Sequence, residues 1–393
     1  MKHVLFKAPV LTQSGYGVHA RQVAKALISY VDDGTISLSI VPTQWGNTPW
    51  LLRDDMHDGF IGRLKRYCDH HDKHPDMAVQ LLLPNEWTPV NGAVNIGMTA
   101  GVETDRVNPR WIDCLNSMDS IIVPSMHVKR SFENTGNINS RIEVVPESFI
   151  DTLLTEHVQC DLNFDTKFNF LVVGQFTSDR PQLDRKNIIN TLRILVETFR
   201  NDPDVGIVVK LNSGRSTLID RKITIDRITQ LLKQHRKGNT PHVHVIHGDL
   251  SDAEMTSLYR HPSIKALVTL TRGEGFGLPV LEAAAADIPI IATNWSAYLD
   301  FLNMGNFIKV NYRLETIPAE RVDACDDLRK IWIENAMWAQ PNEQNAVQAL
   351  KRFRMSHEIP TTWARELGSA VREKFSSHAI SMQYRNIFDS VLK

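Results

Sequence analysis

Short apolar runs alternate with helical patterns along nearly the whole chain, and this alternation restricts the fold more than any other sequence feature. Strand-like runs occupy residues 3–10 and 38–42, and between them residues 18–30 repeat apolar side chains at the helical period. A second series of the same kind runs from residue 168 to residue 292. Strands that alternate with helices form parallel sheets with crossover helices. The sequence therefore predicts an α/β fold with two doubly wound, Rossmann-like domains.

A break in this pattern gives the expected domain bounds. Residues 148–167 are polar and aperiodic, and a chain of 393 residues is long enough for two domains with separate cores. We predict an N-terminal domain over residues 1–155, a linker over 156–166 and a second domain over 167–364. The helical pattern of residues 365–393 is expected to pack back toward the N-terminal domain. Two such domains are expected to face each other across a cleft.

Composition argues against several classes of protein. The chain has 44 Lys and Arg against 45 Asp and Glu, so its net charge does not favour a polyanionic partner, although local basic faces leave one open. The cysteines are far apart and form no C-x-x-C pair, which argues against a zinc site or a disulfide framework. The N-terminus predicts a strand instead of a signal peptide, and no apolar stretch reaches the ~18 residues of a membrane span. We therefore expect a cytoplasmic protein without a membrane span.

The densest functional signal lies in residues 264–302, which predict a strand, a glycine loop, a helix and a further strand. Glycines let the backbone approach a ligand, and N–H groups at a helix start can bind phosphate oxygens. Glu274 lies in the loop and Glu282 on the helix, with seven residues between them. Two such carboxylates can accept hydrogen bonds from sugar hydroxyls. The spacing is equally compatible with a helix-capping Glu282 and a solvated Glu274.

The stretch EGFGLPVLEAAAADIPIIAT, residues 274–293, resembles the donor-binding motif of glycosyltransferase family 4 and its relatives. The resemblance implies a GT-B fold and a retaining transfer from a UDP-, GDP- or ADP-sugar, with no cofactor. It also implies that Glu274 contacts the donor sugar and that Glu282 binds the ribose hydroxyls. The backbone that contacts sugar or phosphate would be that of Gly275, Phe276, Gly277 and Leu278.

Basic residues for the donor diphosphate are expected near the start of the second domain. The family places an arginine and a lysine after the first strand, but here the strand ends at Gly174 and Gln175 takes the usual arginine position. Lys186 is the predicted phosphate lysine and Arg185 its partner, with a solvated helix start as the alternative. Lys210 is a second phosphate candidate.

Three further segments of the second domain lead to specific expectations. Residues 212–214 form a turn that could lie beneath the pyrophosphate. Gly248, Asp249 and Leu250 resemble the family's segment that frames the nucleotide base, and Asp252 is expected to cap the next helix. The only D-x-D, residues 202–204, is interpreted as a turn, and no metal site is expected.

The N-terminal domain offers a glycine loop after its first strand. Gly15, Tyr16 and Gly17 match only a loose G-x-G-x-x-A pattern, and the second strand ends without an acidic residue, which argues against nicotinamide binding. The equivalent loop of the family contacts the donor diphosphate and the acceptor, so these three are candidate donor-binding residues. His19 could donate to a phosphate or lie on the surface. Glu103 is the predicted acid for an acceptor hydroxyl, with helix-capping and surface roles as alternatives.

The expected function is that of a retaining hexosyl- or pentosyltransferase with a hydroxyl acceptor. KAPVLTQSGYG (7–17) and DRKN (184–187) resemble glycosyltransferases encoded by bacteriophages, some of which modify hydroxymethylated bases in DNA. Such DNA is one expected acceptor, in a host cytoplasm; polysaccharides and oligosaccharides are alternatives. A GT-B sugar-nucleotide epimerase and a non-catalytic nucleotide-sugar-binding module are rival functions. Dispersed basic residues could line a DNA path or decorate a solvated surface: Arg63, Lys65, Arg66, Lys129 and Arg130.

Overall fold

The computed structural model describes residues 1–68, 73–155, 162–211, 214–235, 238–322 and 331–392. Contacts divide the chain into two compact units. Unit 1 consists of Met1–Ser148, Val322–Ala336 and Phe375–Lys393, and unit 2 of Phe149–Arg321 and Met337–Lys374. Unit 2 thus takes in the predicted linker, of which residues 156–161 lie outside the described part, and unit 1 takes in residues 322–336 from the range expected for the second domain.

Each unit contains a six-stranded parallel sheet. The sheet of unit 1 has the order β2-β1-β3-β4-β5-β6 and that of unit 2 the order β12-β11-β10-β7-β8-β9, and an antiparallel hairpin, β13-β14, completes unit 2. The α/β fold predicted from the sequence is therefore confirmed. The strands are β1 (Lys2–Ala8), β2 (Ile36–Pro42), β3 (Met77–Leu81), β4 (Val94–Met98), β5 (Ser120–Val123), β6 (Arg141–Val144), β7 (Phe168–Gly174), β8 (Val205–Leu211), β9 (His242–His247), β10 (Ile264–Thr269), β11 (Ile290–Thr293), β12 (Ile308–Val310), β13 (Tyr312–Thr316) and β14 (Met337–Pro341).

Helices connect and cover these strands, as crossover connections between parallel strands require. They are α1 (Gly15–Asp32), α2 (Phe60–Lys65), α3 (Trp111–Asn116), α4 (Met126–Glu133), α5 (Ile188–Thr198), α6 (Leu218–His235), α7 (Asp252–Tyr259), α8 (Leu278–Ala285), α9 (Leu299–Leu302), α10 (Glu343–Met355), α11 (Glu358–Lys374) and α12 (Ser377–Leu392), with 3-10 turns at Pro84–Glu86, Asp151–Leu154 and Ala319–Arg321. None of the described helices combines the length and the apolar composition that crossing a membrane requires.

Helix α1 shows how local sequence determines an element of unit 1. Ser14 caps the helix, because its Oγ accepts a hydrogen bond from the N–H of Gly17 at 2.9 Å. The apolar face predicted from the helical period is buried, with Val23 and Leu27 fully inaccessible. That face packs against β1 and β2, which positions the glycine loop at the carboxyl end of β1.

The C-terminal helical pattern is two helices and not one. The chain leaves α11 near Phe375 and enters α12 at Ser377. Helix α11 packs on α8 in unit 2, where Gly368 is required because a Cβ would lie 2.0 Å from an Asp287 oxygen. Helix α12 packs on α1 in unit 1, where the Tyr384 hydroxyl lies 2.8 Å from His19 Nε2.

The core of unit 2 holds the strands that precede the candidate site. β8 is buried along its whole length, and its run of β-branched residues is typical of a strand covered on both faces. In β7, Phe170 stacks on Phe199 with ring centroids 4.9 Å apart and contacts Phe353 at 6.0 Å. Because the six strands are parallel, their carboxyl ends meet at one edge, where ligand loops of open α/β sheets lie.

Candidate active site

Glu274, in the loop between β10 and α8, is the centre of a buried charged cluster. Its side chain is 10% exposed, and Lys186 Nζ lies 2.8 Å from Oε1 and 2.6 Å from Oε2. Arg185 Nη1 lies 3.5 Å from Oε2, and the Thr271 hydroxyl donates to Oε1 at 3.0 Å. The structure thus brings together the residue predicted to bind the donor sugar and the two predicted to bind its diphosphate.

Asp184 shapes the loop that presents the two cations. Its buried carboxylate accepts hydrogen bonds from the N–H and the hydroxyl of Thr177 at 3.1 and 2.7 Å, and from the N–H of Ile188 at 2.8 Å. Ile188 is the first residue of α5, so the carboxylate also satisfies an N–H at a helix start. Gly174, at the end of β7, lets this strand approach the start of α5 closely, because a Cβ at this position would lie only 2.9 Å from Ile188 Cδ1.

Asn187 joins this loop to the end of β10. Its backbone is left-handed, with φ of 53°, a conformation that asparagine adopts more readily than most residues. Its side-chain amide donates to the Leu270 carbonyl at 2.9 Å, and the Arg272 N–H donates to the Arg185 carbonyl at 2.9 Å. These two bonds keep Lys186 and Arg185 beside Glu274, although the two segments are far apart in sequence.

The Arg272 side chain links the glycine loop to the β13-β14 hairpin. It is 4% exposed, and its guanidinium lies 5.3 Å from the Trp338 ring centroid and bonds the side chain of Gln340. The Arg272 carbonyl also accepts from the N–H of Ala339 at 2.9 Å. The β13-β14 hairpin therefore buttresses the loop that carries Glu274.

The charge of Glu274 follows from its surroundings. Burial acts to raise the pKa of Glu274, but the positive charges of Lys186 and Arg185 and the hydrogen bonds from Lys186 and Thr271 outweigh it, so the pKa is lowered. The carboxylate is therefore ionised at neutral pH. A buried carboxylate of this kind is stable only while its partners remain in place.

Gly277 is the turn that leads from the loop into α8. Its φ of 102° lies in the region that favours glycine, and a Cβ would lie 3.3 Å from Tyr298. Helix α8 begins at Leu278, with Pro279 in its first turn and no side-chain cap. The loop is held on the other side by the Glu274 N–H, which donates to Ser296 Oγ at 2.9 Å. Phe276 points into the core and packs 5.6 Å from Phe301.

We predict that Gly277→Ala lowers the free energy of unfolding by about 1 to 3 kcal/mol, because an alanine at this φ is strained. Urea unfolding measures the change. The matched control is Gly15→Ala, since a Cβ at Gly15 meets no atom within 4 Å and its φ is ordinary. Equal stability of the two variants would contradict the assignment of strain to Gly277.

Glu282 belongs to a second cluster, at the ends of β8 and β9. The hydroxyl of the buried Tyr259 donates to Glu282 Oε2 at 2.8 Å. Lys210, 7% exposed at the end of β8, donates to the Gly248 carbonyl at 2.6 Å. Tyr259 was not expected from the sequence, because its position 23 residues before Glu282 shows no pattern that links the two.

The two charged groups of this cluster shift in opposite directions. Burial raises the pKa of Glu282 to about 7, with the Tyr259 hydrogen bond and the Lys210 charge opposing and the Asp252 charge adding to the rise. Burial lowers the pKa of Lys210, and the charges of Asp249 and Glu282 oppose that shift. Glu282 therefore changes its protonation near neutral pH, whereas Glu274 does not.

We predict that the contribution of Glu282 to stability falls as pH rises from about 5 to about 7.5 and that Glu282→Gln removes this contribution. Buried histidines such as His19, whose pKa is lowered, add a dependence of opposite sign that wild type and variant share. The pKa of Glu282 is higher in the folded chain, about 7 against an ordinary 4.5, so the folded state binds more protons in this window and loses stability as they leave. A shift of this size corresponds to about 3 kcal/mol. Urea unfolding at several pH values measures it, with Glu343→Gln, in an exposed ion pair, as control. Identical pH slopes for wild type and Glu282→Gln would contradict the assignment.

The predicted base-binding segment follows β9. Gly248 has φ of 102°, Asp249 is exposed and Leu250 is partly buried. The expectation that Asp252 caps α7 is wrong: Ser251 is the cap, and it forms a capping box with Glu254. The sequence contained that signal, since Ser followed three residues later by Glu is the capping-box pattern. Residues 212 and 213 of the turn expected near the pyrophosphate lie outside the described part.

The glycine loop of unit 1 opens α1. Gly17 fits where no other residue would, because a Cβ would lie 2.0 Å from the Thr12 carbonyl oxygen. Gly15 is exposed, and the Tyr16 ring stacks on Trp45 with centroids 3.6 Å apart. The Tyr16 hydroxyl bonds Thr99 Oγ1 at 2.9 Å, at the end of β4. The Tyr16 side chain therefore ties the loop to the sheet, and its ring is not presented freely to a ligand.

Glu103 lies in the loop after β4, near Tyr16. Burial raises the pKa of Tyr16, and the negative charges of Glu103 and Glu147 add to the rise. Glu103 is partly buried. His19 follows the glycine loop in α1 and is 1% exposed, with Nε2 2.8 Å from the Tyr384 hydroxyl of α12, so the expectation of a surface position is wrong.

Comparison with known proteins gives the chain a family match and a fold. Residues 227–336, which include the Glu274 loop and α8, match the family described as glycosyl transferases group 1. Sucrose-phosphate synthase from Thermosynechococcus elongatus is similar in structure, with a TM-score of 0.63, 16% identity, and coverage of 99% of this chain and 100% of that one. No curated protein sequence matches significantly.

Two ligand-bound structures are similar to the same extent. Anabaena HepE in complex with UDP-glucose has a TM-score of 0.60 at 11% identity, covering 99% of this chain and 100% of that one. The E. coli trehalose-6-phosphate structure bound with UDP-2-fluoro glucose has a TM-score of 0.61 at 10% identity, covering 100% and 99%. At these identities the likeness shows the fold. The GT-B fold and the group 1 match over residues 227–336 together identify the chain as a glycosyltransferase.

Proposed function

We propose that this glycosyltransferase takes a nucleotide sugar as donor and transfers the sugar, with retention of anomeric configuration, to a hydroxyl group. The observation that carries the proposal is the cluster of Glu274 with Lys186 and Arg185 at the carboxyl edge of the unit 2 sheet. It offers one carboxylate for sugar hydroxyls and two cations for a diphosphate. The UDP-sugar ligands of the HepE and E. coli structures support this choice of donor.

The protonation state of Glu274 decides which role suits it. Because its pKa is lowered, the group is an anion at neutral pH and accepts hydrogen bonds, so it suits the binding of sugar hydroxyls and not the donation of a proton. Lys186 and Arg185 carry several N–H donors each, so they can bind a phosphate oxygen of the donor while they remain beside this carboxylate. This arrangement keeps the carboxylate ionised and every charge partnered, as a buried site requires.

The proposed reaction needs charge stabilisation more than a strong base. The bond between the anomeric carbon and the phosphate oxygen breaks, and its electron pair leaves with the diphosphate. The acceptor oxygen bonds the anomeric carbon on the same face, and its proton passes to the departing phosphate oxygen. Lys186, Arg185 and the start of α8 stabilise the charge that develops on the diphosphate. These groups suffice without a metal ion, so we propose metal-independent transfer.

We propose that Glu282 and the Gly248–Leu250 segment bind the nucleoside. Glu282 is held by Tyr259 and can take ribose hydroxyls, and the exposed Asp249 and the partly buried Leu250 can frame a base. Lys210 donates to the Gly248 carbonyl at 2.6 Å and is the second candidate for binding the diphosphate. In unit 1, Gly15 and Gly17 are proposed donor-binding residues and Glu103 is the proposed acid for the acceptor hydroxyl, with Tyr16 in a positioning role.

For the acceptor, we propose a hydroxyl of a hydroxymethylated base in DNA, on the likeness of the glycine-loop and DRKN segments to bacteriophage enzymes. Two of the basic residues considered for a DNA path are engaged in ion pairs: Arg63 with Asp32 and Lys65 with Asp54. These pairs reduce the positive potential available on that face, so DNA binding would depend on other cations.

A donor screen tests the proposal. UDP-, GDP- and ADP-sugars are incubated with the chain in EDTA, alone, with hydroxymethylated DNA and with oligosaccharides, and products are followed by mass spectrometry and by NMR of the anomeric proton. Transfer with retention in EDTA is expected, with a saturable mass gain on the DNA. An inverted product, or activity restored only by magnesium or manganese, would contradict the mechanism. An epimerised nucleotide without acceptor favours the epimerase, and donor binding without turnover favours the binding module.

A further inference from the structure

Two histidines and an aspartate lie close together at the amino-terminal ends of the strands of the unit 2 sheet, away from the donor loops. His242 and His244 are alternate residues of β9, so their side chains share one face of the strand. Asp165 precedes β7, and its Oδ2 lies 3.5 Å from His242 Nδ1. One ligand atom from each of the three residues lies within 4.8 Å of the others. Imidazole nitrogens with one carboxylate form a donor set typical of divalent transition metals.

The hydrogen bonds behind His244 determine which of its nitrogens can bind a metal. The Asn169 amide nitrogen donates to the Thr166 carbonyl and to Ser263 Oγ, so Asn169 Oδ1 faces the Thr166 hydroxyl as an acceptor. The hydroxyl proton of Thr166 therefore goes to Asn169, and its oxygen accepts from His244 Nε2, 3.1 Å away. This leaves Nδ1 of His244 with its lone pair. Metal-binding histidines are oriented in this way, through a hydrogen bond from the second ring nitrogen.

The surroundings hold the three groups to different degrees. Phe164 packs edge-on against His244 and His261, with centroids 5.2 and 4.8 Å away, which fixes the segment that carries Asp165. The side chains of His242 and Asp165 are 60% and 81% exposed. One ligand is thus anchored and two are accessible, which leaves room for water in the remaining coordination positions.

The place of this cluster in the sheet separates it from sugar transfer. His242 is the first residue of β9 and pairs with Gly206 near the start of β8, whereas the Gly248 loop follows the other end of β9. At the usual rise per residue, the two ends of β9 are about 17 Å apart. β9 is also the last strand in the sheet order. A metal here would join residues 162–166 to an edge strand and would not contact the donor.

We propose that Asp165, His242 and His244 bind one divalent transition-metal ion, such as zinc. The ion would fasten the segment before β7 to the edge strand β9. The wide spacing of the cysteines, which disfavours a cysteine zinc site, does not bear on this cluster, because its ligands are two histidines of a strand and an aspartate. This site is independent of the proposed metal-free transfer, because it lies at the amino-terminal end of β9, whereas the donor loops follow the carboxyl ends of the strands.

Calorimetric titration of the EDTA-stripped full chain with Zn²⁺ tests the proposal. One equivalent is expected to bind, and His242→Gln and His244→Gln are each expected to weaken binding tenfold or more. His235→Gln is the matched control, because His235 also faces a carboxylate, Glu197 at 3.1 Å, but lies outside the cluster. Mg²⁺, which prefers oxygen ligands, is expected to bind much more weakly. Equal zinc affinity in wild type and both cluster variants would overturn the proposal.

A second measurement tests the role of the ion. Zn²⁺ is expected to slow amide hydrogen exchange in residues 162–168 of the wild type and not of His244→Gln, while donor turnover stays the same with and without Zn²⁺. Unchanged exchange would overturn the fastening role. Turnover that depends on Zn²⁺ and is lost in His244→Gln would overturn the separation from catalysis.

Discussion

Glu274→Gln is expected to lower kcat/KM for sugar transfer about 100-fold or more and to destabilise the fold by about 3 to 5 kcal/mol. The variant removes the charge that the proposed donor hydroxyls bind, and hydrogen bonds to charged groups contribute about 1.5 to 3 kcal/mol each. It also leaves Lys186 and Arg185 beside a neutral amide, and removing one partner of a buried ion pair costs about 3 to 5 kcal/mol. Steady-state kinetics and urea unfolding measure the two effects separately.

Glu343→Gln is the matched control for this prediction. Glu343 forms an ion pair with Arg193, but its side chain is 45% exposed, so the pair contributes about 1 kcal/mol or less. The control is expected to leave kcat/KM unchanged. If Glu274→Gln folds and retains the wild-type kcat/KM, Glu274 does not bind the donor and the proposed function fails at its central residue.

The sequence predicted the elements of the site better than their contacts. The glycine loop, Pro279 and the two glutamates were predictable because they lie in one continuous segment whose chemistry is local. The ion pair of Glu274 with Lys186 joins residues 88 positions apart, and no spacing rule relates them. Lys186 is predictable only from the family's pattern of a lysine after the first strand and from its place before a helix. The hydrogen bonds of Asp184 and Asn187, which hold that loop beside the end of β10, are not predictable from the sequence.

The partners of buried polar groups are also not predictable from the sequence. Arg272 and Tyr259 carry polar side-chain atoms, yet both residues are almost wholly buried because other segments supply their partners. His19 is buried by Tyr384, 365 residues later, and burial lowers the pKa of His19 to about 3. Helical period identifies which face of α1 is apolar, but it does not identify the helix that covers the polar residues beside that face.

Glu274 and Glu282 differ in how their charge depends on pH, and this difference bears on function. Glu274 and Glu282 have the same side chain and lie on consecutive elements, but the pKa of one is lowered and that of the other is raised to about 7. The difference comes from their neighbours: two cations face Glu274, whereas burial beside Tyr259 dominates at Glu282. Donor binding is therefore expected to depend on pH near 7 through Glu282, while the sugar-binding carboxylate stays ionised.

Lys186→Met is expected to lower kcat/KM by about 100- to 1,000-fold, because it removes a preorganised charge from the departing diphosphate. It also removes the strongest of the influences that lower the pKa of Glu274, so burial is expected to raise that pKa. The acid limb of the kcat/KM profile should then move to higher pH, since activity requires the ionised carboxylate. Kinetics between pH 5 and pH 8 measure both effects.

Lys186→Arg and Lys265→Met complete this experiment. The arginine variant keeps the charge and is expected to recover part of the lost rate and to return the acid limb toward its wild-type position. Lys265 Nζ donates to the nearby Pro262 carbonyl at an exposed position, so Lys265→Met is expected to change neither quantity. A Lys186→Met variant with a reduced rate but an unmoved acid limb would mean that Lys186 binds phosphate without controlling the charge of Glu274. A variant with full activity would exclude Lys186 from the donor site.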